Sequence, residues 1–444
     1  MELNTDIAIL GGGLAAYAAA LELRESGLQV TVVTRAPGAT ALNSGAWDLA
    51  ASPHRGSTED WAQWPDSKTA LREILRGRED HPYSVLARGL TLEESSAFIH
   101  QSMSRAAEVL PLEMYGADSG AMAMINDLGT VKPSAWVQAS MREADLRNWR
   151  QAKVLIVGFE GFPKFRSDFL RRSLLEQQEK QAFNHLEFAG SIEVPVPGVN
   201  GRVSLTAVEI AEALDREENF VAFGQELVRY LDGKVYDRIL LPPLLGLENS
   251  RHIVEALGKI TGFKVAETLA TPMSVPGLRL HRAIDQFFDH ESFEKIDAEA
   301  VGFDAEGRKL KALYLHSEEQ RHKLRASAFI LAGGKYLGGG IKRRREWREP
   351  LFNLPVWMEG KPLKRQPMPQ VARRDPGERQ PFLSAGLRIN SFAQPLDGDG
   401  QVAYDNLFAA GAILTGFNPA QESCAAGVSI ATGTLAGRHA SALP

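Results

Sequence analysis

A four-residue apolar run, Ile7 to Leu10, is followed by Gly11-Gly12-Gly13 and then by an alanine-rich stretch that ends at Ser26-Gly27. The unbroken run is the pattern of a strand buried on both faces. The alanine stretch has high helix propensity and stops at a glycine. Leu28 to Val33 repeats the buried-strand pattern, so the chain opens with one βαβ unit. A second alternating series begins at Lys153 with KVLIVG. The pattern predicts helices over Ser167–Gln181, Ala207–Leu214 and Asn219–Leu231, a strand at Arg238–Pro243, a helix over Ser250–Ile260 and a strand near Phe263–Glu267.

After the Pro/Gly-punctuated TPMSVPG, a helix is expected from Leu278 to about Phe288. A hairpin turning at Asp304–Gly307 and a strand at Ala328–Gly334 follow. The chain closes with NLFAAGAILTGFN and a small-residue helix over Ala425–Ser441. The expected fold class is α/β: a doubly wound, Rossmann-like domain, discontinuous over 1–148 and 271–444, interrupted by an α/β insertion over 149–270.

Length and charge narrow the function. At 444 residues the chain is long for one core, which supports two domains. A net charge of −5 supplies no domain-wide basic excess for nucleic acid. The single cysteine, Cys424, excludes an internal disulfide framework and a thiolate-held iron–sulfur cluster within the chain. No apolar run reaches the roughly 18 residues of a membrane span. The first strand follows Met1 too closely for a cleaved signal peptide. A cytoplasmic protein is expected, reaching a membrane only through a partner.

Gly11, Gly13 and Ala16 satisfy G-x-G-x-x-[G/A] between a strand and a helix. Gly11 permits a tight turn, Gly13 lets backbone approach a pyrophosphate, and Ala16 keeps the helix near the sheet. The helix amides and dipole favour the anion. An acid is expected roughly 20 residues further on to bind a ribose hydroxyl. Thr34-Arg35 stand there instead. Thr34 offers an uncharged hydroxyl and Arg35 attracts phosphate, so the N-terminus alone leaves nicotinamide and flavin cofactors open.

Three further segments favour flavin. ATALNSGAWDL, with Asn43, Ser44 and Gly45, follows the second strand; ASAFILAGG carries Gly333; and NLFAAGAILTGFNPAQESCAAGVSIATG carries Gly411, Gly416 and Gly427. In this order they resemble the flavin-facing segments of FAD-dependent oxidoreductases. With HPYS, ILLPPLLG, GLRL, AGGKYLGGG and REP, the chain resembles, nearly end to end, the B-subunit family of anaerobic glycerol-3-phosphate dehydrogenases.

That resemblance implies a flavoprotein, usually assigned FMN, working with two others: a catalytic flavoprotein (the A subunit) and an iron–sulfur, membrane-attached protein (the C subunit). Together these would oxidise sn-glycerol 3-phosphate to dihydroxyacetone phosphate and pass electrons to quinone. The glycine turn favours FAD, because FMN has no pyrophosphate. Expected cofactor contacts are Gly11, Gly12, Gly13, Leu14, Ala15, Ala16, Thr34, Arg35, Asn43, Ser44, Gly45, Gly333, Gly411, Gly416 and Gly427.

Alcohol oxidation needs a base and cations for the phosphate. Arg279 and Arg282, three apart on one helix face, and Arg348 are the substrate candidates; His281 and His81 are the candidate bases. The run Arg343-Arg344-Arg345 fits a solvated or docking surface. Cys424, near the start of the last helix, fits a small buried residue. No spacing points to a metal. The chain either oxidises substrate itself or relays electrons. Two rivals are a stand-alone flavin oxidoreductase of another hydroxy or keto acid, and a non-catalytic assembly protein with a degenerate fold.

Overall fold

In a computed structural model the chain is described over residues 2–51, 66–117, 122–178, 186–199, 204–291, 293–317, 320–375 and 378–443. It opens with β1 (Glu2–Asn4), β2 (Ile7–Leu10), α1 (Leu14–Leu23) and β3 (Val30–Thr34). Three helices follow, α2 (Ser67–Gly77), α3 (Pro82–Leu86) and α4 (Leu92–Val109). The middle of the chain holds β4 (Ala152–Phe159), α5 (Ser167–Gln178), β5 (Leu186–Val194), α6 (Ala207–Leu214), α7 (Glu217–Leu231), β6 (Arg238–Leu241), α8 (Ser250–Thr261) and β7 (Lys264–Glu267). Then come α9 (Val275–His290), β8 (Glu294–Asp297), β9 (Glu299–Glu306), β10 (Lys309–His316), β11 (Arg321–Arg325), β12 (Ala328–Leu331), β13 (Leu407–Ala409) and α10 (Ala425–Ser441).

The central sheet has the order β8-β3-β2-β12-β13 and is parallel throughout. All four residues of β2 are buried, as expected of a middle strand covered on both faces. Helix α1 is almost wholly buried around its circumference, which suits its run of alanines better than a one-sided stripe. It packs against α10 through small residues: a Cβ on Gly433 would sit 2.3 Å from the Ala15 carbonyl oxygen. The Tyr17 hydroxyl donates to the Ala106 carbonyl at 2.8 Å, tying α1 to α4.

Beside this sheet, β9, β10 and β11 form an antiparallel meander with β1 added parallel to β11. A second parallel sheet has the order β5-β4-β6-β7 and its own apolar cluster. That cluster also takes in Met122–Ile125, Val137, Met141, Leu146 and Val275, so its apolar boundary is wider than 149–270. Those residues lie on short strands and turns between α4 and β4, where no periodic segment is long enough to read from sequence, and at the start of α9.

Candidate functional site

The carboxyl ends of β3, β2, β12 and β13 meet the start of α1, which is where a parallel sheet of this kind holds its ligand. The Gly11 N–H donates to the Val33 carbonyl at 2.8 Å. Gly11 sits at φ +122, and a Cβ there would lie 2.3 Å from the Ala332 carbonyl oxygen. Only glycine fits, because the turn is pressed onto the end of β12. Gly12 and Gly13 are partly exposed; a Cβ on them would come 2.9 Å from Thr34 Oγ1 and 2.8 Å from Thr40 Oγ1.

Helix α1 has no side-chain cap from Gly13 and no acid in its first turn. Its positive end is therefore not neutralised within the helix. Among the described residues, Thr40 is the side chain that reaches it, its hydroxyl accepting from the Leu14 N–H at 3.3 Å. A bare helix start beside glycines fits a phosphate of a cofactor. Behind it, Ala15 and Ala16 are buried against the sheet and α10, so they shape the turn without facing a ligand.

Arg35 does not point a free charge at the crevice. Its Nη1 lies 3.0 Å from Glu299 Oε2 on β9, with both side chains about half exposed. The loop after β3 is pinned at its far end. Asn43 Oδ1 accepts from the Gly45 N–H at 2.8 Å, and the Ser44 carbonyl accepts from the Ala270 N–H at 2.9 Å. Gly277 in α9 lies against its backbone, since a Cβ would be 2.3 Å from the Ala41 carbonyl oxygen.

The later glycines divide into two kinds. At Gly333 a Cβ would meet nothing nearer than 3.9 Å, leaving room beside the end of β12. Gly411, Gly416 and Gly427 are required by the protein itself. Added methyls would lie 2.7 Å from Ala15 Cβ, 2.0 Å from the Asp80 carbonyl oxygen and 2.0 Å from the Tyr83 hydroxyl, respectively. Their glycine identity thus reports close packing.

The arginine candidates separate in the same way. Arg279 is buried; its Nη1 and Nη2 lie 2.7 and 2.9 Å from the two oxygens of Glu267, and its Nε donates to the Gly246 carbonyl at 2.7 Å. Nη1 also faces Gln138 Oε1 at 3.2 Å. A role for Arg279 in binding substrate phosphate does not fit this geometry, because its fork is already closed on a buried carboxylate. Arg282 is exposed and pairs with Glu248. Arg348 pairs with Glu346 at 3.1 Å on a hairpin beyond the Gly333 loop.

Both histidine candidates are engaged. His281 Nε2 lies 3.4 Å from Asp285, while its Nδ1 is buried with no hydrogen-bond partner among the described residues. His81 caps α3 and is fully buried; its Nδ1 accepts from the Tyr83 N–H at 3.1 Å. An Nδ1 that accepts leaves the neutral ring's proton on Nε2. That atom lies 3.2 Å from Glu422 Oε2 and 3.8 Å from Cys424 Sγ.

Burial lowers the His81 pKa, against the raising effect of Glu422. For Glu422, burial pushes the carboxyl up, but the bond to His81, the Asn418 N–H and Arg78 together outweigh it. A neutral imidazole lying beside an ionised carboxylate fits both directions. Burial also pushes the Cys424 thiol well above its ordinary value. His81, Glu422 and Cys424 present three ligand atoms within 4.8 Å of one another. The Nδ1 acceptor opposes metal binding there, since a neutral His ligating through Nε2 must carry its proton on Nδ1. No spacing in the sequence announces this trio, because His81 and Cys424 are 343 positions apart.

Lys335, just past Gly333-Gly334, is the buried cation of this end of the fold. Its Nζ donates to the Leu383 carbonyl at 2.7 Å and sits 5.2 Å from the Phe417 ring centre. Burial brings its pKa down to about 7.

A family model for the FAD-binding domain matches residues 6–428, and the chain belongs to that family. A curated relative from Vibrio cholerae, named as the B subunit of anaerobic glycerol-3-phosphate dehydrogenase, is 26% identical over 97% of this chain and 95% of its own length. The like-named protein of Yersinia enterocolitica is 27% identical over 96% of each. Among solved structures, 3-ketosteroid delta1-dehydrogenase from Sterolibacterium denitrificans aligns over 99% of each chain at 10% identity, with a TM-score of 0.43. Among the described residues, no helix is long and apolar enough to cross a membrane.

Proposed function

We propose that this chain is the flavin-carrying B subunit of an anaerobic, quinone-linked sn-glycerol-3-phosphate dehydrogenase. One observation carries the reading: relatives so named match nearly the whole chain, and the family match places an FAD-type fold over the same span. Of the two flavins, FAD is the better fit. The bare start of α1 beside Gly12 and Gly13 suits a pyrophosphate, which FMN lacks. The family match offers nothing in favour of FMN. Residues 149–270 are read as an inserted domain.

When bound, the flavin supplies a two-electron acceptor for a secondary alcohol. The chain's residues hold and orient it. Amides at Gly12 and Gly13 would face the phosphates, the Leu14 N–H being taken by Thr40, the Thr34 hydroxyl is offered to a ribose, and Asn43, Ser44, Gly45 and Gly333 give backbone at close approach. Arg282 and Arg348 remain the candidates for substrate phosphate. With one cysteine this chain cannot itself hold a thiolate-ligated iron–sulfur cluster, so any cluster of the complex would lie in another protein. The catalytic flavoprotein (A) and the iron–sulfur protein (C) are the expected partners, and attachment to the inner face of the membrane would come through the latter.

One observation favours electron relay over substrate oxidation by this chain. His81 carries its ring proton on Nε2, because its Nδ1 accepts from the Tyr83 N–H, and so is a donor where a base must accept. Purification with and without the neighbouring proteins tests the proposal. A yellow chain that releases FAD, reduced by glycerol 3-phosphate only when the catalytic flavoprotein is present, is the expected result. A colourless chain that takes up no flavin on reconstitution overturns it. Turnover by the chain alone with another hydroxy acid would favour the stand-alone enzyme.

A further inference from the structure

Beyond the Gly333 loop, a two-stranded hairpin pairs Lys342 with Arg348 and Arg343 with Trp347. It forms one wall of a groove of about 530 Å³. That volume is in the range of small-molecule sites. Five cations line it, Lys342, Arg344, Arg345, Arg348 and Arg365, against the single carboxylate of Glu346. The chain as a whole is acidic, with a net charge of −5, so this concentration is local.

The groove has internal order. Glu346 holds two guanidiniums with its two oxygens, Arg348 at 3.1 Å and Arg365 at 3.7 Å. Arg348 also donates to the Asn353 carbonyl at 3.3 Å, where Asn353 stands at φ +56. Lys342 reaches a carboxylate outside the lining, Glu299, at 3.9 Å. Arg343, by contrast, is drawn away, over the Trp347 ring and toward Met368. Among the described residues, the side chains of Arg344 and Arg345 have no ion-pair partner and are exposed. Placing Lys342 directly opposite Arg348 costs stability, since like charges across an antiparallel pair repel. One carboxylate within the groove cannot offset its five cations. A ligand carrying two or more negative charges can.

We propose that the groove lined by Lys342, Arg344, Arg345, Arg348 and Arg365 is a binding site for a phosphate monoester dianion. Guanidinium forks match phosphate oxygens in pairs, and a concave site admits a head group that a flat basic patch would meet on one side only. The proposal stands on the groove itself, independently of the flavin. It extends the role suggested for Arg348 to a complete site. The phosphate arrives either on a free small molecule or on a lipid head group, and the chemistry recognised is the same.

The test uses the flavin-loaded chain and the double variant R344A/R345A, whose two side chains make no ion pair that folding depends on. Thermal stability and tryptophan emission are followed against inorganic phosphate and against sn-glycerol 3-phosphate. Co-sedimentation is measured with vesicles of phosphatidylcholine, with and without phosphatidic acid, whose head group is itself a phosphate monoester. Saturable binding of the soluble phosphates, weakened about tenfold or more in the variant, assigns a free phosphate ligand. Sedimentation only with the anionic vesicles, lost in the variant, assigns a head group. Failure of both, or equal binding by variant and wild type, overturns the site. Flavin content is read separately from the visible spectrum, so loss of the flavin reading and loss of the phosphate site give different results.

Discussion

Arg279 and Glu267 form a two-pronged ion pair at 2.7 and 2.9 Å, with their side chains 1% and 0% exposed. The pair joins α9 to the end of β7, and Glu267 also accepts from Ser140 Oγ and the Leu245 N–H, each at 2.6 Å. It therefore ties the first turns of α9 to the second sheet.

Removing one partner leaves the other buried and unpaired. Arg279→Met is expected to cost about 3–5 kcal/mol, measured by urea denaturation. The double variant R279M/E267L should recover much of that loss. A single variant as stable as wild type would show that the pair does not hold the two sheets together.

The glycine turn separates a folding requirement from a binding one. Gly11→Ala puts a methyl at a left-handed φ and against the Ala332 carbonyl, so it should cost more than about 2 kcal/mol. Gly13 has an ordinary φ of −97, and its neighbour is the rotatable Thr40 hydroxyl. Gly13→Ala should leave the stability within about 1 kcal/mol of wild type. Its flavin occupancy in the visible spectrum should fall, because backbone can no longer approach a phosphate. Full occupancy in Gly13→Ala would argue against pyrophosphate binding at this turn.

Two buried groups give the flavin-free chain a pH signature. Burial lowers Lys335 to about 7 in the fold, from an ordinary 10.5. Between those values the unfolded chain binds the extra proton, so this contribution makes stability rise with pH from about 7 to 10.5. Burial raises Glu349 to about 7 from 4.5. There the folded chain holds the extra proton, so stability falls as pH rises from about 4.5 to 7. Lys335→Met should flatten the alkaline limb and Glu349→Gln the acid limb, in denaturation curves taken across pH. Unchanged limbs would mean that neither group stays buried while titrating.

The thiol of Cys424 should be inert. It is fully enclosed and its pKa is raised by burial, whereas reactivity follows thiolate and access. A chromogenic disulfide reagent at pH 8 should find no thiol in the native chain and one after unfolding. Rapid native labelling would show that the region around His81 opens.

Helix α4 carries a signal that apolar periodicity alone does not reveal. Thr91 and Glu94 form a reciprocal capping box before an 18-residue helix, and T-L-E-E is visible in the chain. The expectations for Ala207–Leu214 and Ala425–Ser441 coincide with helices for different reasons: the first has a Thr206–Glu209 capping box, whereas the second has no side-chain cap and three glycines and is held by burial of its small residues. The interval between Leu49 and Lys153 offers no comparable pattern for its strands. Among the described residues those strands are three or four residues long and divide their contacts between the two cores, so no local period marks them.

Ordered local patterns were enough to specify the first βαβ unit, the glycine turn, the absence of cysteine pairs and three of the four strands of the second sheet, but not its edge strand β5. Each of these depends on residues close together along the chain or on composition alone. Which glycines face a ligand, which arginine is free, and what surrounds His81 were decided only on folding. These depend on atoms brought together from distant positions: Gly416 against Asp80, Arg279 against Gln138, His81 against Cys424. A residue type states what a side chain can do, and burial beside a particular partner determines whether that capacity is left for a ligand.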